Sequence, residues 1–275
     1  MRVLVSADME GATGVTWPED VRPGAPQWDT CRRLLTGDVN AVAEGYFTAG
    51  ADDVLVNEAH ASMRNLVLGE LDPRARLLAG RHKPLGMMEG LRDGVDLVAF
   101  VGYHAGAGDT GVLSHTMLGL EITGVWLNGE PASEGRMNAA LAAELGAKVV
   151  LVSGDDRACA DAETYAPAAE RVAVKQAVDR YSAILLPPAR TAELLRGAAM
   201  ASVGAPAHGQ VATPPYTYEI EFLGTSSAAA TTGVPGVERI SPRRVRFTQE
   251  RMDDAYRCFR ALTVLGWAAR EDRYG

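Results

Sequence analysis

The chain has 275 residues, 47% of them hydrophobic, enough to bury a large core as one big α/β domain or a main domain with a smaller companion. A formal net charge of −8 excludes a general nucleic-acid or anionic-membrane surface, which would need clustered Lys and Arg, and no apolar stretch is long enough to span a membrane. The three cysteines, Cys31, Cys159 and Cys258, are scattered and form no C-x-x-C pair, so they read as buried thiols of a cytoplasmic protein with neither a disulfide framework nor a thiolate zinc site.

The first element is a short strand, Val3-Leu4-Val5, without polar alternation, as expected of a strand buried on both faces of a sheet. It runs into Asp8 and Glu10. Alternate residues of an extended segment point the same way, so these two acids can converge on one point, and Gly11 and Gly14 let the chain turn around it. A loop from Pro18 to Pro26 leads into a helix that runs to about Gly50 with an apolar stripe of Cys31, Leu34, Leu35, Val42 and Tyr46. Asp53 to Asn57 is a second buried strand, followed by Glu58 and His60. Further strands are expected at 76–79 and 96–101, with a helical piece around Met87–Leu91 between them and His104 just after the second. The segment 105–111, rich in Gly, Asp and Thr, reads as a loop that delivers Ser114-His115-Thr116. Glu121 to Trp126 followed by Asn128-Gly129 reads as a hairpin.

Ser133 can cap a helix whose buried stripe is Met137, Leu141 and Leu145, with Glu134 in its first turn. Lys148 to Ser153 is another buried strand, and Ala173 to Gln176 one more. A helix and then a linker occupy 187–207, with the break at 204–206. The remainder holds an alternating strand from Tyr216 to Leu223, a small-residue segment at 225–233, a basic strand near Arg243 to Phe247 and a last helix striped by Met252, Ala255, Tyr256, Phe259, Leu262 and Thr263. The expected architecture is a three-layer α/β/α domain over 1–205 with a largely parallel or mixed sheet, plus a smaller C-terminal α+β part over 206–275.

Histidine is scarce, five in all, and His60, His104 and His115 lie at strand ends or in the loops beyond. In a parallel α/β sheet such ends gather at one edge, so Asp8, Glu10, His60 and His104 can meet. Carboxylate and imidazole without thiolate suit zinc, with manganese or iron as alternatives. By themselves the same residues also fit hydrogen-bonded polar groups at strand ends. Glu134 taken alone reads as a partner of its helix dipole, and Asp155-Asp156-Arg157 as a helix cap with a local ion pair. His82 and His208 read as exposed. Lys175 reads as a strand-face lysine at the solvent edge of the sheet, with binding of a substrate carboxylate as the alternative.

Seven segments, taken in order, carry a resemblance: Ser6-Ala-Asp8-Met-Glu10-Gly11, Val56-Asn-Glu-Ala-His60, Gly102-Tyr-His104-Ala105, Leu113-Ser-His115-Thr-Met117, Ser133-Glu134-Gly135, Gly154-Asp-Asp-Arg-Ala158 and Ala173-Val-Lys-Gln176. Together they resemble the zinc-dependent D-aminopeptidase family associated with bacterial dipeptide transport, over most of the chain and less after about residue 205. The resemblance implies two zinc ions per subunit held by Asp8, Glu10, His60, His104 and Glu134, with His115 catalytic outside the metal shell. Three carboxylates then face two Zn2+, and one hydroxide closes the charge; five ligands for two ions imply a bridging carboxylate, expected to be Asp8. The implied activity is release of N-terminal D-amino acids, D-Ala among them, from short peptides by metal-activated hydroxide attack on the scissile carbonyl. It also implies a ring-like homo-oligomer, a decamer of two stacked five-membered rings. A metal-dependent amidohydrolase or phosphoesterase, and a non-catalytic peptide-binding partner of a transporter, are the alternatives.

Overall fold

The computed structural model describes residues 1–205 and 211–270. In chain order its strands and helices are β1 (Arg2–Ala7), α1 (Trp28–Thr48), β2 (Asp53–Glu58), β3 (Arg76–Leu78), β4 (Leu97–Tyr103), β5 (Ile122–Leu127), β6 (Glu130–Pro131), α2 (Glu134–Glu144), β7 (Lys148–Asp155), α3 (Asp156–Tyr165), β8 (Glu170–Asp179), β9 (Ser182–Leu185), α4 (Pro188–Ser202), β10 (Tyr216–Phe222), α5 (Thr225–Thr231), β11 (Glu238–Arg239), β12 (Arg244–Gln249) and α6 (Met252–Ala268). The main sheet has the order β3-β2-β1-β4-β7-β8-β9 and is parallel except for β9, which returns antiparallel along β8. A largely parallel or mixed sheet was expected; the short edge strand β9 was not, because its Ser-Ala-Ile-Leu carries no alternation to betray it.

Both faces of the central strands β1, β4 and β7 are covered, which is why these strands read as unbroken apolar runs. Val3, Val5 and Ala7 of β1 join the core formed with Leu35, Val39 and Val42 of α1 and Leu195 and Ala199 of α4. Leu4 points the other way, into a second core with Val98, Phe100, Met137 and Leu141, and with residues of α6 and the second sheet. That second sheet is antiparallel, in the order β11-β12-β10-β5-β6. It joins the hairpin at 122–131 to strands after residue 215; the boundary expected at 205–206 adjoins residues outside the described ones. In β10 the alternation is strict: Tyr216, Tyr218, Ile220 and Phe222 point inward, while Glu219 and Glu221 face Arg246 and Arg244 across the ladder. The Asn128-Gly129 turn holds both residues at positive φ, 53° and 86°, as the tight hairpin requires.

Several expectations shift. The first helix begins at Trp28, past Pro26. The piece around Met87 is two 3-10 turns, Gly86–Met88 and Leu91–Asp93, interrupted by Gly90 at φ 96°. The small-residue segment at 225–233 forms α5 over its first seven residues. Cys31 is buried, whereas Cys159 and Cys258 are only half-buried, and all three are free thiols. His82 is exposed as expected; His208 lies outside the described residues. No helix among the described residues is long and apolar enough to cross a membrane.

Candidate metal centre

The order in which the chain adds strands to the main sheet reverses at β1, although β1, β2 and β4 all run parallel. The order runs β1 to β2 to β3 on one side and resumes with β4 on the other, and a crevice opens at such a switch point beyond the carboxyl ends of the strands. Asp8 and Glu10 follow β1, His60 follows β2 and His104 follows β4, so the three adjacent strand ends deliver four of the expected residues to one place. Glu134 comes from the first turn of α2, whose N-cap Ser133 accepts a hydrogen bond from the Arg136 N–H. His115 comes from the loop after β4. These six side chains form three overlapping clusters: Asp8, Glu10 and His60; Asp8, His104 and Glu134; and Glu10, His104 and His115.

Two glycines permit the close approach. The Asp8 N–H donates to Val101 O and the Gly11 N–H to Gly102 O, both at 2.8 Å, which stitches the turn after β1 onto the end of β4. A Cβ at Gly11 would stand 1.8 Å from Tyr103 O, and one at Gly102, where φ is 71°, 2.2 Å from Asp8 O. No side chain fits at either position. Backbone strain gathers at the same edge: Ala61 and Met63 after His60, and Leu113 and Met117 flanking His115, are non-glycine residues at positive φ.

Each of the three histidines has one ring nitrogen tied to a main-chain carbonyl. His60 Nε2 donates to Val21 O at 2.9 Å, His104 Nδ1 to Ala105 O at 3.0 Å and His115 Nδ1 to Leu113 O at 2.9 Å. In the neutral ring the opposite nitrogen of each therefore presents a lone pair, and all three aim at carboxylate oxygens. His60 Nδ1 lies 3.3 Å from Asp8 Oδ1 and 3.0 Å from Glu10 Oε2. His104 Nε2 lies 3.5 Å from both Asp8 Oδ2 and Glu134 Oε1. His115 Nε2 is farther out, 3.8 Å from Glu134 Oε1 and 4.0 Å from Glu10 Oε1.

Lone pairs facing lone pairs repel unless a cation lies between them. His104 Nε2 and Glu10 Oε2 are buried and make no aligned hydrogen bond despite these short approaches, the condition of atoms converging on an ion. Zinc bonds of ~2.0–2.1 Å at tetrahedral angles put ligand atoms roughly 3.4 Å apart, close to the separations found for His60 and His104. The donor set fits zinc.

Electrostatics agree. Burial pushes the Asp8 carboxyl up, but the facing His104 and His60 rings outweigh it and hold it below the usual range. Burial likewise pushes the His104 ring down, and Glu134, Asp8 and Glu10 overcome it, raising it to about 10 in the metal-free protein. His60 is raised for the same reason, chiefly by Glu10 against its own burial. Such a cluster collects positive charge as protons where no metal supplies it. Glu134 is pushed by burial up to about 7, and its Oε1 accepts the Met117 N–H at 2.7 Å. His115 goes the other way: burial and the neighbouring His104 lower it to about 4, so at neutral pH its Nε2 is an unprotonated base.

Asp155 caps α3 by accepting the Ala158 N–H at 2.7 Å, as its position suggested. Lys175 is not at a solvent edge: it is 1% exposed, and its ammonium donates to the carbonyls of Glu10, Ala12 and Val15. Burial lowers it to about 8. The same loop is also held by Asp38, whose carboxylate accepts the Thr13 N–H and hydroxyl, both at 2.8 Å. In the sequence Asp38 looks like any acid on the solvated face of a helix. The polar position of Lys175 between Val174 and Gln176 was the one available signal, and only the fold turned it inward.

A family model described as D-aminopeptidase matches residues 1–261. The D-aminopeptidase of Bacillus subtilis is 33% identical over 268 residues, which cover 96% of this chain and 97% of that protein. Among solved structures, the Zn-dependent D-aminopeptidase DppA from Bacillus subtilis, a self-compartmentalizing protease, superposes with a TM-score of 0.94 at 31% identity, over 99% of this chain and 100% of that one.

Proposed function

The chain belongs to the D-aminopeptidase family and is a Zn-dependent hydrolase, and from that premise we propose that it releases N-terminal D-residues such as D-Ala from short peptides at a dinuclear zinc centre. Asp8, Glu10 and His60 would hold one ion and Asp8, His104 and Glu134 the other. The observation that carries this reading is the division of Asp8: Oδ1 faces His60 and Oδ2 faces His104, one oxygen toward each cluster. Zinc bound there supplies a nucleophile at neutral pH and polarises the scissile carbonyl.

The chain's own groups do the rest. His115, neutral and anchored through Nδ1 to Leu113 O, offers Nε2 at the edge of both clusters. It takes up a proton there as the attacking oxygen forms its bond to carbon, and delivers it to the departing amine as the C–N bond breaks. Glu10 and Glu134, the two carboxylates beside Nε2, stabilise the imidazolium in between. The enclosing loops, with Leu113 and Met117 held at positive φ, fix the ring before substrate arrives.

A ring-like homo-oligomer of ten subunits in the cytoplasm completes the proposal. Its support is the self-compartmentalizing relative and two exposed apolar groups, Val178, Tyr181, Ile184 and Leu185 on the β8/β9 hairpin and Val264, Leu265 and Trp267 on α6. Enclosure of the active sites would limit substrates to short peptides. The test is zinc quantification of the purified protein alongside hydrolysis of D-Ala-D-Ala and L-Ala-L-Ala. Two zinc ions per chain and cleavage of the D-peptide alone are expected; metal-free protein, or equal rates on both peptides, overturns the reading.

A further inference from the structure

We propose that Lys175 is a positioning residue of the metal centre, clamping the Glu10 to Val15 loop so that the Glu10 carboxylate is aimed at the His60 cluster before metal binds. The inference rests on the zinc reading above. Lys175 stands on β8, three places from β1 in the sheet order, and its side chain reaches the loop after β1. Its Nζ donates to Glu10 O at 2.6 Å, Ala12 O at 2.9 Å and Val15 O at 2.7 Å. An ammonium has three donors, and all three are used on one loop.

A buried cation is costly, and among the described residues no carboxylate pairs with it directly; its three partners are carbonyls. What the fold obtains is a fixed backbone at a ligand. Glu10 has its carbonyl held by Lys175, and the next residue, Gly11, has its N–H held by Gly102 O. With the peptide between them pinned at both ends, only side-chain torsions remain free to carry the Glu10 carboxylate. A second clamp works on the same loop three residues on, where Thr13 binds Asp38 and Thr191 Oγ1. Partners that orient metal ligands typically matter about 10–100-fold in metal affinity.

The experiment is a zinc titration against a competing chelator, with wild type, Lys175→Met, Lys175→Arg and, as a destabilised control remote from the loop, Phe259→Leu. Lys175→Met should lose about 10–100-fold in affinity at one of two zinc sites. Lys175→Arg, which keeps charge and donors, should recover part of it, and Phe259→Leu should lower the melting temperature with zinc affinity unchanged. Wild-type zinc affinity at both sites in Lys175→Met overturns the proposal, whatever the melting temperature does. If wild type binds a single zinc, the two-metal reading fails on its own, while the affinity lost or kept at that site still decides the role of Lys175. Hydrogen exchange on chelated wild type tests the clamp without any variant. The amides of Gly11 and Thr13 should stay protected without metal, and free exchange there overturns the proposal even if Lys175→Met does not fold.

Discussion

The imidazole of His115 lies flat against that of His104, with ring centroids 4.2 Å apart and planes 8° apart. The two rings have opposite proton affinities, one raised to about 10 among carboxylates and the other lowered to about 4 by burial and by its charged neighbour. Stacking thus separates a group that takes positive charge from one that stays a free base at neutral pH.

His115→Ala should therefore reduce turnover of D-Ala-D-Ala by about 10²–10⁴ while zinc content stays at the wild-type level. Metal analysis and initial rates on one preparation check this. Loss of zinc in the variant would make His115 a ligand, which its cluster with Glu10 and His104 also permits geometrically.

Asp8 and Glu10 differ in reach. Asp8 belongs to the clusters of both proposed ions, whereas Glu10 belongs to the His60 cluster, at 3.0 Å through Oε2, and otherwise only to the outer group with His104 and His115. Asp8→Ala should disturb both zinc ions and Glu10→Ala mainly one, as read by metal content after dialysis. Equal counts in the two variants would rule out Asp8 as the bridge.

Gly102→Ala tests the close approach of strand ends. Left-handed backbone and overpacking against Asp8 O together should cost about 2–4 kcal/mol and weaken zinc binding. Gly108 also has positive φ, 91°, but nothing lies within 4 Å of its added Cβ. Gly108→Ala should cost only about 1 kcal/mol and leave zinc binding intact. Chemical denaturation of both variants, with zinc titrations, separates the two causes.

Removing zinc should lower stability, by ~4 kcal/mol where free zinc had been about 1,000 times its dissociation constant. The chelated protein should also acquire a pH dependence. The folded-state value of His104, about 10, lies above its ordinary value of 6.5, so the folded protein binds the proton more tightly. Its contribution is fully present below pH 6.5 and is lost as pH rises toward 10. Zinc rebinding at pH 7 should displace protons, since the metal needs neutral imidazole, and the heat of binding should vary with the ionisation enthalpy of the buffer. Melting curves from pH 6.5 to 9.5 with and without chelator show the first effect; a flat profile for the chelated protein would contradict it.

Much of this molecule is legible in its sequence because the responsible forces are local. Strands buried on both faces announce themselves as apolar runs, Asn128-Gly129 as a turn with two positive φ angles, and the spacing of Asp8 and Glu10 as two side chains on one side of an extended segment. Ligand-type residues at the ends of the strands before Asp8, His60 and His104 were equally plain, since a parallel sheet collects those ends at one edge. The family resemblance then singled out Glu134 from an ordinary first-turn acid. Tertiary structure alone decided which oxygen of Asp8 faces which histidine, because that follows from β1 lying between β2 and β4. It alone set His104 and His115 in a stack and turned Lys175 inward, through contacts between residues far apart in the chain. Periodicity reports whether a side chain faces one side of a strand or the other. What waits on that side is fixed by distant segments, and for Lys175 it was the turn after β1, 160 or more residues away.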